Sequence, residues 1–203
     1  MTIVQLPPRR KKIEKIPLYL VRETLNEKVL PYIGYKEVLA KEKKSSEIMG
    51  CSSLQSIIVG VLFGYFYSKI NRKKYYLGTN ELGLHVEKGT NLANDMAIFE
   101  RNKVELTNNY FNIAPKIVIE VDIKVDLDPD DHPREMAYIL EKANKMLDFG
   151  VEKIIWVMTL EKNIIVFSKS ETTTIVNFDT DIYVLDDCTL NLAKLLEEEE
   201  IEF

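Results

Sequence analysis

Residues 115–124 read Pro115-Lys116-Ile117-Val118-Ile119-Glu120-Val121-Asp122-Ile123-Lys124. The β-branched residues at 117–119, 121 and 123 favour an extended backbone. Strand side chains alternate between faces, so Ile117, Ile119, Val121 and Ile123 point one way and Val118, Glu120, Asp122 and Lys124 the other. One face therefore presents two carboxylates and an ammonium in a row, with roughly 7 Å between successive members. Two readings stand at this point: a half-exposed strand with a wet face, or a central strand that concentrates charge. The density of apolar positions is that of a strand buried on both faces. The strand also runs into residues 126–133, where aspartates and two prolines predict a loop.

Elements on either side follow from hydrophobic period. Ser52 and Ser53 suit the start of a helix, and Leu54, Ile57, Ile58, Val61, Leu62, Tyr65 and Phe66 then recur at helical spacing to about Lys69. A second helix is predicted from about Arg134 to Phe149. Met136, Ile139, Leu140, Ala143, Met146 and Leu147 form its inward stripe, and Gly150 stands at its C-terminal cap. From Pro17, Leu18 and Leu20 pair with Val29 and Leu30 around Asn26-Glu27-Lys28 as a hairpin, followed by a polar stretch from Ala40 to Ser46. Short strands are predicted at 75–77, 82–86, 96–99, 153–158, 163–167, 172–176 and 182–185, and a last helix at 189–199. This order predicts an α/β fold, bordering on α+β, with one mixed central sheet flanked by helices. Residues 17–195 make a single domain. Residues 1–16 are a flexible basic arm and 196–203 a solvated acidic tail.

Composition sets the outer bounds. A chain of 203 residues with 46% hydrophobic and 29% charged residues is neither disordered, collagen-like nor a coiled coil. The formal net charge of −5 excludes nucleic-acid binding by bulk attraction, but not an enzyme that holds a divalent cation between carboxylates. Two cysteines, Cys51 and Cys188, lie far apart, and so do the histidines, His85 and His132, a spacing that argues against a structural zinc site. The cysteines read as buried thiols in a reducing compartment. The N-terminal basic cluster has no apolar segment behind it, and the longest apolar stretch, 57–67, is too short to span a bilayer. A cytoplasmic protein that avoids membranes is expected.

Asp95 stands before the apolar run Met96–Phe99, about twenty-five residues ahead of Glu120. Neighbouring strands can bring the two together, and hard divalent cations take carboxylate oxygens with water completing the shell. A lysine nearby can orient an attacking water or stabilise charge developing on a phosphoryl group. The plainer readings are a turn aspartate and a wet strand face. His85 reads as a satisfied strand histidine, His132 as a loop residue and Trp156 as core.

An aspartate followed by a strand carrying Glu120, Asp122 and Lys124 resembles the signature of the PD-(D/E)XK nuclease superfamily. More closely, the chain resembles the Uma-two family of restriction endonucleases. The likeness rests on Glu23 with Asn26-Glu27-Lys28 after it, the helix at 50–64, Leu82–Val86 leading to Asn91–Phe99, the strand 115–124, and the helix 141–149 running into 150–157. It covers about residues 17–170, and the order and spacing of the motifs carry it.

The resemblance implies a restriction-endonuclease-like fold and a metal-dependent DNA endonuclease using Mg²⁺ or Mn²⁺. It implies Asp95 and Glu120 as metal ligands with the carbonyl of Val121, and Asp122, Lys124 and Lys142 as candidate catalytic residues. Lys142 matches the family's lysine four residues before an aromatic, here Met146, and eight before Gly150-Val151. Asn94 replaces the proline before the aspartate, Ile123 a serine, and Gln55 a histidine. Glu23 and Gln55 are accessory candidates. A homodimer is implied, with DNA phosphates gripped by Arg9, Arg10, Lys11, Lys12, Arg72, Lys73 and Lys74; the plainer reading of those residues is a solvated arm and a polar turn. The competing function is a nuclease-fold DNA-binding or protein-interaction module that no longer cuts.

Overall fold

The computed structural model describes residues 16–122 and 135–203. Lys124, His132 and the arm carrying Arg9, Arg10, Lys11 and Lys12 lie outside them, as does the predicted loop at 126–133. The hairpin is β1 (Val21–Leu25) and β2 (Lys28–Pro31), and Leu18–Leu20 form a single 3₁₀ turn, not a strand. Asn26 and Glu27 both adopt positive φ, the backbone a tight two-residue hairpin requires. After the hairpin come a one-turn helix α1 (Tyr35–Leu39), just before the predicted polar stretch, and a 3₁₀ turn at Ser45–Glu47 at its end, both missed by periodicity because each is one turn long.

Helix α2 (Ser53–Lys69) begins where expected, with the Ser52 side chain accepting from the Gln55 N–H. The two short runs at 75–77 and 82–86 are one strand, β3 (Tyr75–Glu87), and the run at 96–99 is the end of β4 (Thr90–Glu100). Polar residues in the middle of both strands hid their length. The remaining elements are β5 (Ile117–Asp122), α3 (Glu135–Phe149), β6 (Lys153–Met158), β7 (Asn163–Ser168), β8 (Thr174–Asn177), β9 (Ile182–Leu185), β10 (Cys188–Leu190) and α4 (Leu192–Glu198). The predicted last helix thus begins late: Cys188–Leu190 pair with β9, and Asn191 caps α4. Leu195 and Leu196 are buried in α4, so the boundary expected at 195/196 falls inside this helix.

The main sheet has eight strands in the order β2-β1-β4-β5-β6-β7-β8, with β3 also paired to β4, and β9 and β10 form a separate pair. Only β5 and β6 run parallel; every other neighbouring pair is antiparallel. The architecture is mixed α/β, a mostly antiparallel central sheet between helices. Ile117, Ile119 and Val121 pack with Ile58, Leu62 and Phe66 of α2, and with Leu192, Leu195 and Leu196 of α4. Val118 packs on the opposite side with Ile139, Ala143 and Met146 of α3. The alternation expected of β5 therefore holds, but neither face is wet: Glu120 is buried.

The buried stripe of α3 is rotated from the predicted one. Ile139, Ala143 and Met146 are buried, whereas Met136 and Leu140 are 46% and 43% exposed. Tyr138 and Lys142 take the inward positions, because their polar tips meet buried carboxylates there. Gly150, with φ of 123°, ends the helix as its position suggested. Cys188 is buried, but Cys51 is exposed, contrary to the expectation of two buried thiols; it precedes α2 on a loop rather than within an element. Among the described residues no helix is long and apolar enough to cross a membrane.

Candidate active site

The site is made where β4 changes partner. Its opening residues pair with β1 through Asn91, and its later residues Met96–Ile98 pair with β5. At the changeover Asn80 and Glu81 of β3, both at positive φ, stand opposite Asp95 alone, since Thr79 pairs with Met96 and Leu82 with Asn94. This is a β-bulge, and a bulge re-aims side chains. Leu92 packs on the α3 side of the sheet, and Asn94 points to the same side, reaching Glu120 and Met146. Met96 and Ile98 pack on the α2 side, so the alternation reverses across Asp95. Asp95 reaches towards β5 and accepts the N–H of Val121 at 2.7 Å. Asp95 thus sits in the middle of a long strand, at a bend, and not at the mouth of a short one.

Five elements converge on one cleft of about 230 Å³, lined by Asp95 of β4, Glu120 and Asp122 of β5, and Tyr138 and Lys142 of α3, together with Arg22 of β1 and Gln55 of α2. Lys142 reaches in from α3. Its Nζ lies 3.2 Å from Glu120 Oε1, 3.3 Å from Glu23 Oε2 and donates to the carbonyl of Ala93 at 2.8 Å. An ammonium has three hydrogens, and these three acceptors match them. Asn94 donates to the same Glu120 oxygen, while its own Oδ1 is buried and without a hydrogen-bond partner among the described residues. Gln55, in the first turn of α2, donates to Asp95 at 3.3 Å. Trp156 donates its indole N–H to Asp122, whose carbonyl accepts from the backbone and hydroxyl of Thr159. Glu23 accepts from the Tyr138 hydroxyl and from the Ala93 N–H at 3.2 Å.

The electrostatics follow from crowding charge away from water. Burial, reinforced by the charges of Asp95 and Glu23, pushes Glu120 up to about 7 against the pull of Lys142 and Asn94. Burial and the neighbouring charge of Asp122 push Asp95 up to about 6. Burial and Glu120 do the same to Asp122, also to about 6. Burial would also raise Glu23, but Lys142, Arg22, Tyr138 and the Ala93 N–H together hold it below the usual carboxylate range. Burial works against the charge on Lys142, yet Glu120 and Glu23 outweigh it and keep the ammonium well above its ordinary range.

Glu23, Asp95, Glu120 and Asp122 face two cations, Lys142 and Arg22, and Glu81 also lines the cleft, so carboxylates outnumber cations here among the described residues. A divalent cation would offset part of that negative excess. Among the described residues no three His, Cys, Asp or Glu side chains form a preassembled metal cage. Mg²⁺ does not need one: it is commonly held by one or two carboxylates and keeps several waters. The donor set of Asp95 and Glu120 fits such an ion.

Of the residues singled out in the sequence, Asp95, Glu120, Asp122, Lys142, Glu23 and Gln55 come together. Val121 contributes its backbone N–H to Asp95, while its side chain is turned into the core against α2. Arg72, Lys73 and Lys74 do not join them. They follow the last turn of α2, a 17-residue helix whose first turn is at the cleft, which puts them about 25 Å away at 1.5 Å per residue. There Arg72 lies over the Tyr67 ring and Lys74 pairs with Asp186 at 3.2 Å. His85 is satisfied by Asn91, as its strand position suggested.

Sequence reasoning missed Arg22, Tyr138, Asn94 as the donor to Glu120, and Trp156 as the donor to Asp122. Tyr138 could have been found, since it lies four residues before Lys142 and shares its helix face. Arg22 could not, because next to Glu23 in a regular strand it would point the other way.

No family model matches the chain, and no curated protein matches it. Among solved structures the chain is similar to a "putative nuclease belonging to DUF820" from Anabaena variabilis ATCC 29413. The superposition has a TM-score of 0.63 and 15% identity, and covers 86% of this chain and 89% of that one. The two chains share a fold across nearly their whole lengths.

Proposed function

We propose that this chain is a metal-dependent DNA endonuclease of the restriction-endonuclease-like, Uma-two type. The observation that carries the reading is the meeting of Asp95 from β4, Glu120 from β5 and Lys142 from α3 in one cleft. The residue pattern that resembles the PD-(D/E)XK superfamily, and a fold shared with a protein described as a "putative nuclease", support it.

Asp95 and Glu120 would hold Mg²⁺ or Mn²⁺. Bound there, such an ion would polarise a phosphoryl oxygen and lower the pKa of water. The rest falls to the chain itself. Gln55 and the Val121 N–H fix the Asp95 carboxylate, and Asn94 fixes Glu120. Lys142 favours the charged form of Glu120 against its burial and sets a positive charge beside the point where a phosphodiester gains negative charge. Asp122, held by Trp156, adds a third carboxylate to the cleft wall. Lys142 is the lysine this reading assigns to the site, in preference to Lys124. A two-fold homodimer would place one such site on each strand of a duplex, and sedimentation would reveal it.

The second reading, a nuclease-fold binding module, is favoured by the complete engagement of the Lys142 ammonium within the protein. Supercoiled plasmid incubated with Mg²⁺ or Mn²⁺ separates the two. Cutting by the wild type, abolished by Asp95→Asn and by Glu120→Gln, is the expected outcome. DNA binding without cutting would establish the module, and cutting that survives both substitutions would remove these residues from the site.

A further inference from the structure

Arg22 and Glu23 are consecutive in β1 and should face opposite sides of the sheet. They do not. Val21 pairs with Pro31 and Glu23 with Leu30, so Arg22 is the extra residue of a bulge. Both side chains consequently reach the hydroxyl of Tyr138: Arg22 Nη2 lies 3.3 Å from it, and the hydroxyl donates to Glu23. Bulges beside active sites commonly re-aim a side chain in this way.

We propose that Arg22 is the phosphate-binding residue of the cleft, the group that grips the backbone of a nucleic-acid substrate. The inference rests on the nuclease reading of the same cleft. Arg22 lines the cleft together with Asp95, Glu120 and Asp122. Its side chain is 21% exposed, against 4% for Lys142. Of these two cations, Arg22 is therefore the one a ligand entering from solvent meets. A phosphodiester approaching a wall of carboxylates is repelled unless positive charge stands on its open side. The guanidinium fork suits that task, since it pairs with two phosphate oxygens at once. The basic run at Arg72–Lys74 is too far along α2 to serve.

The test is duplex DNA binding by wild type and Arg22→Gln, measured with Ca²⁺ across a series of salt concentrations. Mn²⁺ binding by calorimetry and the thermal midpoint are followed alongside. Loss of one phosphate contact lowers the slope of log K against log salt by about 0.9. It also weakens binding by roughly 10- to 100-fold, while Mn²⁺ binding is retained. That combination is the expected result. A fall in the thermal midpoint with slope and affinity unchanged would make Arg22 only the counter-charge of Glu23 and overturn the proposal. If Arg22→Gln does not fold, Glu23→Gln is compared with the double variant Arg22→Gln/Glu23→Gln, which removes the charges as a pair. The same drop in slope between those two supports the proposal, and its absence overturns it. Wild-type protein that binds no DNA overturns the nuclease reading itself, a result distinct from failure of Arg22 alone.

Discussion

Lys142 holds its ammonium within 3.3 Å of both Glu23 and Glu120, and all three groups are buried. Removing Lys142 leaves Glu120 with no cation beside it among the described residues and Glu23 with only Arg22 at 3.8 Å, and breaking a buried ion pair in this way costs about 3–5 kcal/mol. Lys142→Ala is therefore expected to lower stability by about 3–5 kcal/mol in urea unfolding at pH 8. A loss below about 1 kcal/mol, the level of an exposed pair, would show that Glu23 and Glu120 do not depend on Lys142 for their charge. The same cluster explains Asn94. A proline there would have no side-chain donor for Glu120, and it would place a ring where the amide now bridges Glu120 and Met146.

Helix α2 sets the Gln55 end of the site and buries Ile58, Leu62 and Phe66 under the sheet. Its outer side carries Gly60 and Gly64, where an added Cβ would meet nothing within 4 Å. Glycine inside a helix costs conformational entropy that alanine does not. Gly60→Ala and Gly64→Ala should each stabilise the protein by about 0.5–1 kcal/mol in chemical denaturation. Destabilisation by either would show that this face packs against something in solution. The strands around the site behave differently, because their irregular positions orient side chains of the cleft. The bulge at Asn80 and Glu81 turns Asp95, and the bulge in β1 turns Arg22.

At the scale of the whole molecule, folding gathers Asp95, Glu120 and Asp122 from two strands into one place where burial first, and then the charge of one on another, opposes their ionisation. Their folded-state values, about 6, 7 and 6, lie above those of an unfolded chain. The stability they contribute is complete below the unfolded carboxylate range, near pH 4, and is lost as pH rises through about 6 to 7. Glu23, lowered on folding, acts in the opposite sense and only in acid below its ordinary value. The metal-free thermal midpoint is thus expected to fall between pH 5 and pH 8. Mg²⁺ should reduce that fall, since an ion that binds only the folded state stabilises it by mass action. A midpoint independent of pH over this range, with or without Mg²⁺, would mean that folding does not raise these carboxylates.

Hydrophobic period by itself determined most elements. The β-branched strand at 117–122, the helix from Ser53 and the helix ending at Gly150 are local patterns that burial only has to select. Strand alternation and spacing marked Asp95, Glu120 and Asp122, and the family resemblance marked Lys142. Where polar residues sat inside elements, the pattern misled. The middles of β3 and β4 looked like breaks, and the inward face of α3 looked wrong because a tyrosine and a lysine occupy it. Only the tertiary structure decided that Lys142 lies between Glu23 and Glu120, that Asp95 crosses to the Val121 N–H, and that Arg22 turns into the cleft. Each depends on a bulge or on a contact between residues tens of positions apart, and neither leaves a periodic trace in the chain. The cleft's charge is likewise a property of the assembled sheet, since only burial makes neighbouring carboxylates resist one another.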